Sequence, residues 1–103
     1  MTERIAFRLR VRPDRIEDYI EEHRHVWPEM LDALRAAGYR NYTIFRSGTD
    51  MFGYFECDDA AAAAAHMAAQ DVNTRWQDAM AELLEQRVEG GGPEPLEPVF
   101  RLD

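Results

Sequence analysis

The stretch Asp18-Tyr19-Ile20-Glu21-Glu22-His23-Arg24-His25-Val26-Trp27-Pro28-Glu29 decides how this chain is organised. Tyr19, His23 and Trp27 are four residues apart, so a helix through the stretch carries them on one face, about 6 Å apart. An imidazole exchanges protons near neutral pH, a phenol hydrogen-bonds hydroxyls, and an indole offers a flat wall to a sugar ring. The spacing therefore fits a binding site for a small polyol.

The same face also has an ordinary structural explanation, because apolar residues continue it at helical intervals. These neighbours are Ile16, Ile20, Met30, Leu31 and Leu34. Such a pattern is typical of a buried helix face, so the aromatic rings fit the core as well as a site. His23 is the residue that core packing explains least well. Pro28 removes a backbone donor from the helix, so we expect a kink or short break there, with Trp27 at the bend.

Length and charge limit the classes of partner. The chain has 103 residues, which suits one domain spanning 1–103. Lys and Arg number 12 against 20 Asp and Glu, for a formal net charge of −8. Because nucleic-acid binding draws on a basic surface, this balance predicts no nucleic-acid partner and favours a neutral small molecule.

Cysteine usage and hydropathy set the expected location. Cys57 is the single cysteine of the sequence, so an intrachain disulfide and a cysteine-based zinc site are both excluded. The first residues carry no apolar signal-peptide core, and no apolar run reaches membrane-spanning length. We therefore predict a cytoplasmic protein with no membrane partner.

The rest of the pattern predicts six main elements. Alternating apolar residues indicate a strand over 4–11, and helical spacing follows from Pro13 to Ala37, with Gly38 as the stop. Strands at 39–46 and 51–57 form a hairpin. Asp58 or Asp59 then caps a helical region that breaks near Asp71 and runs to Leu84. A glycine- and proline-rich loop at 89–95 precedes a last strand at 96–102.

This order, β-α-β-β-α-β, is the split βαβ arrangement of an α+β ferredoxin-like fold. Its antiparallel sheet carries both helical regions on one face and leaves the other face bare. In so short a chain a second copy is the natural cover, so we predict a homodimer whose sheets face each other.

Four motifs resemble the L-rhamnose mutarotase family, in the same order and over nearly the whole chain. They are Tyr19-x3-His23-x3-Trp27-Pro28-Glu29, Asn41-Tyr42, Asp71-Val72-x2-Arg75-Trp76 and Val99-Phe100-x-Leu102. The resemblance implies a dimeric α+β barrel that interconverts the α and β anomers of L-rhamnose without a cofactor.

The resemblance also implies roles for individual residues. His23 matches the family's proton donor, and Tyr19, Tyr42 and the Trp76 segment match its sugar-binding residues. Family members often carry two adjacent tryptophans where this chain has Trp76-Gln77, so an amide that can hydrogen-bond a hydroxyl replaces a ring face. The implied substrate is a 6-deoxyhexose, with L-rhamnose first and L-fucose as an alternative.

Mutarotation needs one acid and one base near the ring oxygen and the anomeric hydroxyl. An imidazole suits the acid because its ordinary pKa is about 6.5. The sequence leaves the base open between Glu29, a water molecule and His23 itself. Trp27 shapes the pocket or supports His23, while Arg75 binds the sugar or pairs with carboxylates, and we favour the pairing.

Other candidates and other functions fit the sequence less well. His25 is expected on the surface, His66 is expected on a helix surface or at the edge of the core, and no metal site is predicted. The competing functions are a cofactor-free monooxygenase or lactone isomerase of the same fold, a ligand-binding or dimerisation module, and a haem protein that uses a helix histidine.

Overall fold

A computed structural model describes residues 1–85, 93 and 95–102. Within these residues, three strands form one antiparallel sheet in the order β1-β3-β2, and four α-helices accompany it. The elements are β1 (Glu3–Arg10), a 3-10 turn (Pro13–Arg15), α1 (Ile16–Arg24), α2 (Pro28–Ala37), β2 (Arg40–Ser47), β3 (Asp50–Cys57), α3 (Ala60–Ala68) and α4 (Asp71–Ala81). This α+β architecture confirms the predicted fold class.

Alternation along β1 gives the sheet one buried and one open face. Phe7 is buried and lies opposite the equally buried Gly53 of β3, while Arg8 and Arg10 are exposed on the other side. The helices cover the buried face, because Phe7 and residues of α1, α2, α3 and α4 line one common cavity. The period of two in the sequence therefore identified the core face of β1 correctly.

Proline divides the first helical region as expected. The first helix, α1, ends at Arg24 and α2 begins at Pro28, with Trp27 as the residue that caps it. Pro28 has no N–H to donate, and the first bond of α2 runs from the Leu31 N–H to the Trp27 carbonyl, at 3.0 Å. Trp27 thus lies at the junction rather than one turn further along the helix of Tyr19 and His23.

The second helical region begins with a side-chain cap and then breaks. The Asp59 carboxylate accepts from the Ala62 N–H at 3.0 Å and fixes the start of α3. The chain breaks again before Asp71, where α4 begins, as predicted. The fourth helix ends at Ala81 rather than Leu84, although Leu84 stays buried and forms a β-bridge with Val11.

A bulge near the start of β2 sets the direction of its side chains. Asn41 has φ of 51°, a left-handed conformation that asparagine tolerates better than most residues, and the register shifts between Arg40 and Thr43. Because of the extra residue, Arg40 lies opposite Glu56 on the open face, whereas Tyr42 faces the cavity. The bulge therefore belongs to the geometry of the candidate site.

The predicted last strand at 96–102 is wrong. Pro95 forms one isolated bridge with Phe7, the Leu96 N–H donates to the Ala6 carbonyl at 2.7 Å, and no regular structure follows. Pro98 lacks the N–H that a continuing ladder needs, which is why apolar content alone overpredicted a strand. Apart from Pro93 and Pro95, the predicted loop at 89–95 lies outside the described residues.

Candidate active site

A cavity of about 540 Å³ lies between the helices and the buried face of the sheet. Most of its lining is apolar, including the rings of Phe7, Phe55 and Trp76. Polar groups enter it from three elements and one connection: His23 from α1, Tyr42 from β2, Asn73 and Gln77 from α4, and Tyr39 from the residue before β2. An apolar chamber with a few polar groups is the usual form of a small-molecule site.

His23 is held in one tautomer by the helix that carries it. Its Nδ1 lies 2.8 Å from the Tyr19 carbonyl oxygen, which can only accept, so Nδ1 carries the hydrogen. The second nitrogen, Nε2, is then a lone-pair acceptor in the neutral ring. Burial lowers the pKa of His23, although the bond to Tyr19 and the charge of Glu22 oppose the shift. The neutral imidazole is therefore the form that the fold favours at neutral pH.

Tyr19 supports His23 from behind. The two rings stack with centroids 4.2 Å apart, and Tyr19 is 4% exposed. Burial raises the pKa of Tyr19 to about 12, so its phenol keeps its proton. Tyr19 is not among the described residues that line the cavity, which makes it a partner of His23 more than a wall of the chamber.

Two tryptophans support the imidazole, one directly and one through the other. Trp76 presents its ring edge-on to His23 at 5.5 Å, and Trp27 meets Trp76 edge-on at 5.0 Å. The guanidinium of Arg75 lies 5.8 Å from the Trp27 ring centroid, within the range of a cation–π contact. Trp76 lines the cavity and Trp27 lies behind it, so the break at Pro28 gives Trp27 a supporting position.

Tyr42 belongs to an aromatic group on the sheet side of the cavity. Its ring contacts Phe7 at 6.1 Å, Tyr39 at 5.8 Å and Phe55 at 5.3 Å, measured between centroids. Desolvation raises the pKa of Tyr42 well above its usual range, and the nearby phenols of Tyr19 and Tyr39 add to the shift. Tyr42 is 41% exposed as a residue, yet burial is the main cause of its raised pKa, so its hydroxyl end is the sheltered end.

The amides of Asn73 and Gln77 lie side by side on α4. Gln77 Nε2 donates to Asn73 Oδ1 at 3.3 Å, across one helical turn. Both side chains are half-buried and both line the cavity, on either side of Trp76 in the sequence. They are neutral polar groups in a largely apolar wall.

Several other candidates from the sequence lie away from the cavity. Arg75 pairs with Asp71 at 2.8 Å and with Glu29 at 3.2 Å, as expected of a residue that binds carboxylates. Glu29 is therefore committed to an exposed ion pair rather than placed to act as a base. His25 and His66 are exposed, in agreement with the prediction, and His25 lies 3.1 Å from Glu21.

Neither a cluster of metal ligands nor a membrane-spanning helix is present among the described residues. Residues 1–85, 93 and 95–102 contain no group of three or more His, Cys, Asp or Glu side chains that could hold a metal ion. Within the same part of the chain, no helix is both long enough and apolar enough to cross a membrane.

Comparison with known proteins agrees with this geometry. The family model described as L-rhamnose mutarotase matches residues 4–102. The chain belongs to the L-rhamnose mutarotase family. A relative from Burkholderia orbicola (strain MC0-3), named L-rhamnose mutarotase, is 38% identical over 104 residues that cover 98% of this chain and 99% of the relative.

Solved structures place the fold within the same group. A crystal structure of an L-rhamnose mutarotase from Formosa agariphila superposes with a TM-score of 0.80 at 26% identity, and covers 98% of this chain and 99% of that one. An antibiotic biosynthesis monooxygenase has a TM-score of 0.61 at 19% identity, over 84% of this chain and 88% of that one. The second similarity shows a shared fold alone.

The mutarotase motifs identified part of the cavity and missed the rest. His23, Tyr42, Trp76 and Gln77 all line it, as the sequence suggested. The lining residues that the motifs missed include Tyr39, Phe55 and Asn73. A signal for Asn73 was present, because it lies three and four residues before Trp76 and Gln77 and so shares their helix face. Tyr39 and Phe55 become site residues only when the hairpin packs under the helices.

Proposed function

We propose that the protein is an L-rhamnose mutarotase, which interconverts the α and β anomers of L-rhamnose. The observation that carries the proposal is His23, held by the Tyr19 carbonyl with Nε2 left for a ligand, in a chamber lined by rings and neutral polar groups. Membership of the L-rhamnose mutarotase family supports the same reaction.

The chemistry requires one proton to move between two oxygens on the same carbon. In the closed sugar, neutral His23 takes the proton of the anomeric hydroxyl at Nε2 while the bond between the anomeric carbon and the ring oxygen breaks. The ring oxygen then receives that proton from Nε2–H, which yields the open hydroxy-aldehyde and neutral His23 again. Rotation about the first carbon–carbon bond and the reverse steps give the other anomer.

The pKa directions favour this order of events. Because burial lowers the pKa of His23, the neutral imidazole begins the cycle as the base and becomes the acid of the second step. Raised pKa values keep Tyr39 and Tyr42 protonated, so their phenols donate hydrogen bonds and orient sugar oxygens. Glu29 was one of the bases left open by the sequence, but it is paired with Arg75. This pairing favours His23 as both the base and the acid.

The lining also suits a 6-deoxy sugar. We assign Tyr42, Trp76 and Gln77 to sugar binding, with the Trp76 indole as a wall for the C–H face. Apolar side chains such as Met67 and Ile44 offer contacts to a methyl group, which a 6-deoxyhexose carries in place of a hydroxymethyl. Tyr19 and Trp27, which lie behind the residues that line the cavity, hold the substrate-contacting side chains in position.

The test is exchange NMR of the anomeric protons of L-rhamnose, L-fucose and D-glucose, each with and without the protein. We expect the protein to accelerate exchange for L-rhamnose above the other two sugars. A faster rate for L-fucose would move the assignment to that sugar. No acceleration for any sugar would overturn the mutarotase assignment, and rhamnose binding without faster exchange would favour a ligand-binding module.

We also propose that the protein is a homodimer. The open face of the sheet leaves Phe45 61% exposed, and the segment after Pro95 leaves Val99, Phe100 and Leu102 more than 80% exposed. Burial of so much apolar surface against a second copy would stabilise both chains. A cytoplasmic location is likewise a prediction of the sequence.

Analytical ultracentrifugation tests the dimer. A carboxylate on the open face, Phe45→Glu, should shift the protein towards monomer because a second sheet cannot pack on a charge. Ala65→Glu is the matched control, since Ala65 is exposed on α3 and away from that face. A wild-type monomer, or equal behaviour of the two variants, would contradict the proposed interface.

A further inference from the structure

The paired amides of Asn73 and Gln77 have a chemistry that the proton transfer does not use. One N–H of Gln77 is bonded to the Asn73 oxygen at 3.3 Å. A primary amide has two N–H donors and one oxygen acceptor, so the pair retains both Asn73 N–H donors, the second Gln77 N–H and the Gln77 oxygen. Neither amide has another side-chain hydrogen bond among residues 1–85, 93 and 95–102.

The surroundings make these remaining groups significant. Both amides line the cavity together with Trp76 and Met67, which are 6% and 5% exposed. In such a place an amide gains most from a partner that both donates and accepts, because an unmatched polar group next to an apolar wall costs free energy. A hydroxyl is such a partner, whereas a methyl or methylene group is not.

From this juxtaposition we infer that Asn73 and Gln77 together bind one ring hydroxyl of the sugar, other than the anomeric hydroxyl, and thereby determine substrate specificity. The hydroxyl accepts from Asn73 Nδ2 and donates to Gln77 Oε1. If the two amides exchange roles, one still supplies a donor and the other an acceptor, so the same ligand group fits. The inference deepens the proposed function and depends on it.

The position beside Trp76 explains how a specificity pair would work. Trp76 contacts the ring of His23 and lies beside the two amides on the same face of α4, so a sugar stacked on the indole meets both groups. The imidazole acts at the anomeric carbon. The amides would distinguish sugars by the configuration of a different ring carbon. A substrate that lacks this hydroxyl leaves both amides unmatched, which is how polar sites reject deoxy analogues.

The test compares L-rhamnose with its 2-deoxy, 3-deoxy and 4-deoxy analogues in the wild-type chain, Asn73→Leu and Gln77→Leu. The quantity measured is kcat/KM for anomer exchange. We expect the wild type to prefer L-rhamnose over one analogue by about tenfold, the value of one good hydrogen bond. Each leucine variant should lose that preference at the same carbon and keep its preferences at the other two.

Two controls separate this role from a structural one. Thr74→Leu adds the same side chain to the exposed side of α4 and should keep all preferences. Asn73→Asp keeps the shape and the acceptor for Gln77 but loses the donor to the sugar, so it should fold normally and discriminate less, because two acceptors then compete for the one hydrogen of the hydroxyl.

The outcomes also separate this inference from the proposed function. If the wild type is active and both leucine variants keep all three of its preferences for L-rhamnose over the deoxy analogues, the inferred specificity role of the two amides is wrong. The mutarotase assignment would then be unaffected. Loss of the same preference in Thr74→Leu would overturn the specificity role too. A wild type without activity on any of these sugars would instead overturn the proposed function, and the inference with it.

Discussion

Replacing Gly53 with alanine tests how tightly the floor of the cavity is packed. A Cβ atom at this position would lie within 2.6 Å of three carbons of the Phe7 ring, which stands directly over the glycine. Non-bonded carbons prefer separations of about 3.5–4.0 Å, so the ring must move by roughly an ångström. Phe7 is 4% exposed and lines the cavity, and it therefore has to shift against other core groups or into the chamber.

Overpacking of this kind costs about 1–3 kcal/mol of unfolding free energy. For a domain of this size such a loss lowers Tm by roughly 4–8 °C for each kcal/mol. Thermal and urea denaturation measure the stability, and anomer exchange with L-rhamnose measures the site. We expect Gly53→Ala to lose both stability and kcat/KM, because the displaced ring narrows the cavity.

A double-mutant cycle isolates the contact. Phe7→Leu removes the ring that the new methyl group meets, so Gly53→Ala should cost much less in that background. The reasoning is refuted if Gly53→Ala is neutral in the wild-type chain, or if its cost is the same whether residue 7 is phenylalanine or leucine.

Three further predictions concern single residues. The fold lowers the pKa of His23 from its ordinary value of about 6.5. Below about pH 6.5 the unfolded chain therefore binds a proton that the folded chain does not, and stability decreases as the pH falls. Urea denaturation at about pH 7 and about pH 5 should show a larger loss for the wild type than for His23→Gln. Asn41→Ala should cost about 1 kcal/mol because alanine resists the left-handed conformation, whereas Asn41→Gly should cost little; equal Tm values would contradict this. Arg75→Gln should leave the denaturation midpoint almost unchanged, since its ion pairs are exposed, while lowering kcat/KM through looser packing of Trp27; a large loss of stability would show a different role.

The sequence predicted best those features that neighbouring residues decide. The break at Pro28 follows from a missing N–H, the start of α3 from the Asp59 side chain, and the end of α2 from Gly38 at φ of 100°. The alternation of β1 was equally local, since Phe7 and Arg8 face opposite sides in any strand. Each of these effects acts within one or two turns of chain.

Features that depend on distant partners were harder to predict. The segment that begins at Pro95 has strand-like composition, yet its pairing depends on β1 and on Pro98, and within the described residues it makes one bridge only, at Pro95. Tyr39 joins the cavity because the hairpin brings it beside Tyr42, which no spacing reveals. Tyr19 and Trp27 share a face with His23 in an unbroken helix, but the break before Pro28 takes Trp27 off that helix, and neither residue is among the described residues that line the cavity.

The most direct test of the central claim is exchange NMR of the anomeric protons of L-rhamnose with the wild type, His23→Gln and His25→Gln. His25→Gln is the matched control, because His25 is exposed two residues away and lies beside Glu21. We predict that His23→Gln slows enzyme-dependent exchange by at least about a hundredfold, as expected for loss of a general acid–base group, while His25→Gln keeps the wild-type rate. Wild-type exchange in folded His23→Gln would contradict the assignment of proton transfer to His23.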